Sequence, residues 1–333
     1  MELTDQKHRW IMNTMYQWSL IYPIVSLIAY LTANWRLYLI IVNVFMGPLL
    51  VFYLLFLESP RYLIYHGQFV RAAKTLTDLA SSRWNKTYVE YLPEALERIP
   101  HRRTPPEDPK YPSPLYLFNT WPRAKLTLVL WFAILTRSVV SNAALLQDGM
   151  PETGNPFLNM TIYGLIRIWV PFMIIFCDWK FHWFTRRLVF FLFMGAILFI
   201  QVVLVILALT TAKWNMLHQI LSILAAAFGA SGLWMSIGQI LIEAYPTAIR
   251  GQAYGWFIVI DSIGQFLVPY IVTGIIWNNL VGLIFIGLPL VSIFVGYLVL
   301  PETKFKVMLD GLRETNVKTS NDTCDINFVH ETQ

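Results

Sequence analysis

Charge is what this sequence has least of. Asp, Glu, Lys and Arg together make up 14% of its 333 residues, where a soluble domain carries about 25%. Acids are the scarcer sign, with 20 Asp and Glu against 25 Lys and Arg. Cysteine is limited to Cys177 and Cys324, so a fold stapled by several disulfides is excluded. No cluster of zinc ligands and no glycine-rich phosphate loop occurs, so neither a metal nor a cofactor is expected.

What replaces the missing charge is apolar. Hydrophobic residues make up 56% of the chain, and mean hydropathy is +0.52. Crossing the hydrocarbon core takes about 20 apolar residues as a helix. Such runs occur at 11–31, 37–57, 126–146, 160–177, 188–210, 216–242, 252–276 and 280–300. They are continuous and do not alternate at period two, which excludes a membrane β-barrel and leaves about eight transmembrane helices. The expected class is an all-α integral membrane protein. The lipid bilayer is its first partner, and the span that follows residues 1–9 leaves no place for a cleavable signal peptide.

The net charge of +5 would suit nucleic acid, but its distribution gives it another meaning. If residue 1 is cytosolic, segments 1–10, 58–125, 178–187, 243–250 and 301–333 are inner and hold 21 of the Lys and Arg residues. The outer connections hold only Arg36 and Lys213. Basic residues favour the cytosolic side of short loops, so both termini are expected in the cytosol and the excess charge is topological. No nucleic-acid partner is expected. Trp35, Trp214 and Trp277 fall at outer edges, as interfacial aromatics do. Cys177 and Cys324 both fall inside, where disulfides are rare. The sequons at Asn85, Asn159 and Asn321 are expected to stay unmodified, two of them cytosolic and one at a helix start.

Ionisable groups inside the spans are few. Arg137, Arg167 and Asp261 lie deep, and His218 and Glu243 lie near the ends of one span. Such groups are costly in hydrocarbon and face a cavity or a partner. Ser138, Ser141 and Asn142 follow Arg137 at spacings that put some of them on its face. Arg137, Ser141, Asn142, Arg167 and Asp261 are therefore the candidate solute-binding residues. The alternative for Arg137 and Asp261 is mutual neutralisation between helices. Runs 188–210 and 280–300 carry almost nothing polar and read as lipid-facing.

Two apolar runs end in similar punctuation: Glu58-Ser59-Pro60-Arg61 and Glu302-Thr303-Lys304. Ser59 can cap and Pro60 can open a surface helix. A mark written twice suggests parallel repeats, as in the two halves of major facilitator transporters. "ESPRYLIYHGQFVRAAKTL", "EAYPTAIRGQAYG" and "LPETK" resemble the organic cation and anion carriers of that superfamily, the solute carrier family 22-like branch, over residues 5 to about 310. Sugar porters share the first and last marks.

The resemblance implies a truncated major facilitator fold equivalent to helices 5–12. Residues 1–57 would be the last two helices of the N-terminal half and 58–125 the central cytosolic loop, with a short helix over 71–79 and a Pro-rich linker. Residues 126–300 would be the six-helix C-terminal half, and 301–333 a cytosolic tail. It implies an inner gate of charged residues: Glu58, Arg61, Glu243, Arg250 and Glu302, with Arg186 and Arg187 as what remains of a D-R-x-G-R-R loop. The acid or base that sets substrate sign in the family falls seven residues before a helix-eleven proline. Here that position is Ser262, with Asp261 beside it, so the sign is not carried over.

Function then reads as transport of organic ions or similar amphipathic solutes by alternating access, most naturally in the plasma membrane. A non-transporting or regulatory member is the alternative, with a full-length relative as its partner. An intramembrane protease reading fails. Gly229-Ala230-Ser231-Gly232 fits the rhomboid serine motif, but the only later histidine is His330, in the tail. Those small residues are better suited to close helix contact.

Overall fold

The computed structural model describes residues 10, 21–54, 58–65, 68–81, 113–147, 156–181, 183–209, 215–274 and 278–304. Expectations for Asn85, Asn321, Trp214, Trp277, the Pro-rich stretch before Ser113 and the tail beyond Lys304 fall outside these residues. Among the described residues, regular structure is helical throughout. Six helical spans are long and apolar enough to cross a membrane, and two shorter apolar helices precede them.

Helix α1 (Ile21–Thr32) and α2 (Trp35–Leu54) come first. They are separated at Ala33, which takes a positive φ of 49°. Asn34 then caps α2, its Oδ1 accepting from Arg36 N–H at 3.0 Å. Helix α3 (Pro60–Tyr65) opens with Pro60, as its fixed φ favours. Helix α4 (Phe69–Ser81) contains the expected stretch 71–79 and buries Ala72 and Thr75, one turn apart. A 3-10 turn over Pro114–Leu117, capped by Ser113, leads into α5 (Trp121–Gln147).

The remaining spans are α6 (Pro156–Lys180), α7 (Arg186–Leu209), α8 (Asn215–Ala227) continued by α9 (Trp234–Ala244), α10 (Thr247–Gly274) and α11 (Asn278–Val299). Between α8 and α9 the chain does not break. It runs through one π-helical turn, Phe228–Leu233.

Helix α5 sits at the centre, packed on α10, α11, α8 and the π-turn. Lipid tails are as apolar as leucine, so burial alone gives helices little reason to meet in a membrane, and close packing must supply it. Glycine notches provide that closeness. A Cβ on Gly229 would fall onto Ser141 Oγ of α5, and one on Gly264 would lie 2.6 Å from Ser138 Cβ. Gly164 gives Pro23 of α1 the same kind of seat, 2.6 Å from the would-be Cβ. Gly232 receives the Phe193 ring at 2.5 Å.

The apolar runs divide differently from the sequence expectation. Little of helix α11 is buried, as suits a lipid-facing helix. Helix α7 is not uniformly so: Phe190, Met194, Ile197, Gln201 and Leu204 form a buried stripe. Their spacing of three and four follows one helix face, which a tally of polar residues in the run does not register. Helix α10, which carries Asp261, is as open as α11.

Candidate functional site

Three polar elements meet at mid-span around the π-turn. Arg137 of α5 is 6% exposed, and its Nη1 is paired with Asp261 Oδ1 of α10. Its Nε donates to Gly229 O at 3.2 Å, and its guanidinium lies over the Trp234 ring, 5.0 Å from the centroid. Asp261 also accepts from Gln265 Nε2 at 2.8 Å, and its backbone carbonyl takes the Ser138 hydroxyl at 2.7 Å. Of the two readings of Arg137, pairing with Asp261 is the arrangement this structure displays.

Arg167 of α6 reaches the same π-turn from the other side. Its Nε donates to Ser231 Oγ at 3.2 Å and its Nη2 to Ala230 O at 3.1 Å. Its guanidinium packs on two tyrosine rings, Tyr22 of α1 at 4.6 Å and Tyr163 at 5.3 Å. Why should a single π-turn collect both arginines? A π-turn widens the helix by a residue and shifts backbone bonding to i→i+5, as Trp234 N–H shows by reaching Gly229 O. Small side chains at Gly229, Ala230 and Ser231 leave those carbonyls open to approach. Two buried guanidinium groups then find acceptors in a region where an unsatisfied donor is expensive.

The other candidates fall around this centre. Ser141 is buried against Gly229, and its hydroxyl has no hydrogen-bond partner among the described residues. Asn142 is half-buried and donates to Ser138 O at 2.7 Å. Ser262 is exposed and bonds back to Ile258 O at 2.9 Å, away from the Arg137 pair.

A second polar network lies at the end of the bundle that the charge pattern assigns to the cytosol. Arg186 is fully buried, with Nη1 3.2 Å from Asp178 Oδ1 and Nε 3.8 Å from Glu243 Oε2. Its guanidinium stacks on Trp10 at 4.6 Å. Glu243 also accepts from Gln239 Nε2 at 2.6 Å. Lys304 joins from the last described residues, 2.9 Å from Asp178 Oδ1 and 2.7 Å from Phe184 O. Glu302 plays a separate part. Its carboxylate accepts from Arg186 N–H and Arg187 N–H, each at 3.3 Å, at the first turn of α7. There it satisfies two of the amides a helix start leaves open and opposes the positive end of the dipole. Arg187 turns outward, packs on Phe191 and Tyr297, and donates to Tyr297 O at 2.5 Å.

Asp178 was not among the sequence candidates. In the D-R-x-G-R-R pattern the acid stands four residues before the paired arginines, whereas Asp178 stands eight before Arg186. The carboxylate comes from the last turn of α6, and a buried arginine in need of an acid was the available signal. Arg250 and Glu58 line one cleft of about 690 Å³ with Tyr62, Ile242, Thr247 and Tyr254. Arg250 Nη2 donates to Tyr245 O at 3.2 Å. The Arg61 side chain lies outside the described residues.

Tyr245 closes the turn between α9 and α10. Its hydroxyl meets Thr127 Oγ1 at 2.5 Å, and that Oγ1 in turn reaches Leu117 O at 3.3 Å. Burial pushes the Tyr245 phenol up to about 12, against the opposing pull of Thr127 and Arg123.

Comparison with known proteins agrees with this architecture. The human solute carrier family 22 member 16 is 27% identical over 253 residues, covering 74% of this chain and 41% of that protein. A Xenopus tropicalis solute carrier family 22 member 15-like protein is 25% identical over 293 residues, covering 87% and 57%. Rat solute carrier family 22 member 2 is 26% identical over 305 residues, covering 87% and 50%. The chain therefore spans about two fifths to somewhat over half the length of the curated relatives it matches. A family model described as "Sugar (and other) transporter" matches residues 1–310. With that match running through every described span, this all-helical membrane chain belongs to the sugar (and other) transporter family of the major facilitator superfamily.

Proposed function

We propose that this protein moves organic ions or similar small amphipathic solutes across a membrane by alternating access. The observation that carries the proposal is the mid-span belt of Arg137, Ser141, Asn142, Arg167 and Asp261 around a π-helical turn. Intramembrane ionisable groups and locally irregular helices mark solute pathways in transporters. Within the belt, the Arg137–Asp261 pair opens to engage the solute, and half-buried Asn142 faces it. Glu58, Arg61, Arg186, Arg187, Glu243, Arg250 and Glu302 form the inner gate, with Asp178 and Lys304 added. The termini are cytosolic and the membrane is the plasma membrane.

Reconstitution in liposomes tests the reading, with a panel of radiolabelled organic cations and anions. Saturable uptake of at least one probe is expected, weakened several-fold by Asn142→Ala at normal insertion. Antibody access to tags at residues 1 and 333 in intact cells would overturn the orientation. A second reading, a non-transporting or regulatory member, draws on the fact that Arg137 and Asp261 are already paired within the protein. It predicts no uptake by the chain alone and altered uptake when a full-length relative is co-reconstituted.

A further inference from the structure

We infer that Arg167 is a positioning residue, a strut that ties the tilt of α1 to the conformation of the π-turn. Its head group bridges two sides. In the guanidinium plane, Nε and Nη2 donate to Ser231 Oγ and Ala230 O, and Ser231 Oγ returns a bond to Arg167 O at 3.4 Å. Against it pack the rings of Tyr22 and Tyr163, themselves edge to face at 5.5 Å. Tyr22 belongs to α1, and α1 is seated firmly on α6. Pro23 fills the Gly164 notch, Ser26 Oγ donates to Phe157 O at 2.6 Å, and Tyr30 packs on Phe157 at 6.0 Å.

Tyr22 thus packs on the guanidinium that holds the π-turn. An always-charged guanidinium can serve both sides at once, donating hydrogen bonds to the turn while its charge meets an aromatic ring. Movement of α1 that withdraws the Tyr22 ring loosens Arg167. The carbonyl it holds is then free to return to α-helical bonding, one residue out of register. Because Gly229 O of the same turn binds Arg137, that register shift reaches the Arg137–Asp261 pair. The strut thereby links the α1–α6 seam to the belt.

This inference rests on the transport reading for its purpose, but its test needs no solute. Hydrogen exchange of the 228–233 amides is measured for the whole chain in lipid nanodiscs. Tyr22→Phe, which keeps the aromatic face, should leave exchange within twofold of the parent. Tyr22→Leu, which removes that face, should speed exchange about tenfold, as loss of a desolvated cation–π contact implies. Equal exchange in the two variants, fast or slow, overturns the strut. Should Tyr22→Leu not yield folded protein, Ser231→Ala tests the link from the other end. Exchange in 21–30 should then rise, and an unchanged rate there overturns the proposal. Either failure leaves the uptake experiment unaffected.

Discussion

The Arg137–Asp261 pair offers the sharpest measurement. Both residues are buried, at 6% and 5% exposure, and they belong to helices whose sequence positions differ by 124. Removing one member of a buried pair costs roughly 3–5 kcal/mol, because the other charge is left without compensation. In Arg137→Gln the Asp261 carboxylate keeps Gln265 at 2.8 Å and loses its cation. In Asp261→Asn the guanidinium keeps Gly229 O at 3.2 Å and the Trp234 face at 5.0 Å. A desolvated cation–π contact is worth about 2 kcal/mol, so Asp261→Asn should be the milder change. The double variant leaves no net charge and should recover all but about 1–2 kcal/mol.

Unfolding of the purified protein by sodium dodecyl sulfate, followed by tryptophan fluorescence, gives the four free energies of the cycle. Additive losses, with a coupling below about 0.5 kcal/mol, would refute the pairing as an energetic unit. Uptake by the same double variant separates two roles. If the pair only stabilises the bundle, transport returns with stability. If it engages the solute, a well-folded double variant remains inactive.

Three further outcomes follow from the packing and the caps. Gly229→Ala and Gly264→Ala should each cost about 1–3 kcal/mol by overpacking against Ser141 and Ser138, whereas Gly255→Ala, with nothing within 4 Å of its would-be Cβ, should be neutral in the same unfolding assay. Glu302→Ala should destabilise by about 1 kcal/mol through loss of the α7 cap and dipole partner, and Glu302→Gln by less, since an acceptor oxygen remains; equal stability of all three proteins would remove the cap from the account. Tyr245 has a raised folded-state pKa, so its contribution is complete below the ordinary phenol value of about 10 and is lost as pH rises through about 12. Over that window the unfolding midpoint of the parent should fall more steeply than that of Tyr245→Phe, and parallel curves would argue against a buried phenol.

Much of the architecture was legible in the chain alone. Hydrocarbon thickness fixes span length, so apolar runs read out helices whatever their neighbours are. Pro60 opened its helix as expected, and the amphipathic stretch 71–79 lies inside α4. The small residues 229–232 also gave close contacts, because the absence of a side chain has the same consequence in any rotation of the helix. These are local properties, set by composition and spacing within one segment.

Which polar groups meet was a different matter. Arg137 finds Asp261, Arg167 finds Ala230 and Ser231, and Arg186 finds Asp178 and Glu243. The sequence supplied most of these residues, but not the pairings, nor the π-turn on which two of the arginines converge. Each pairing depends on the rotation of a helix about its axis and on its height in the membrane. Both are set by packing against neighbours far away in the chain. Asp178 makes the point in one residue: its place in the last turn of α6, eight residues before Arg186, hid it from spacing, and only the folded chain brings its carboxylate to 3.2 Å from Arg186.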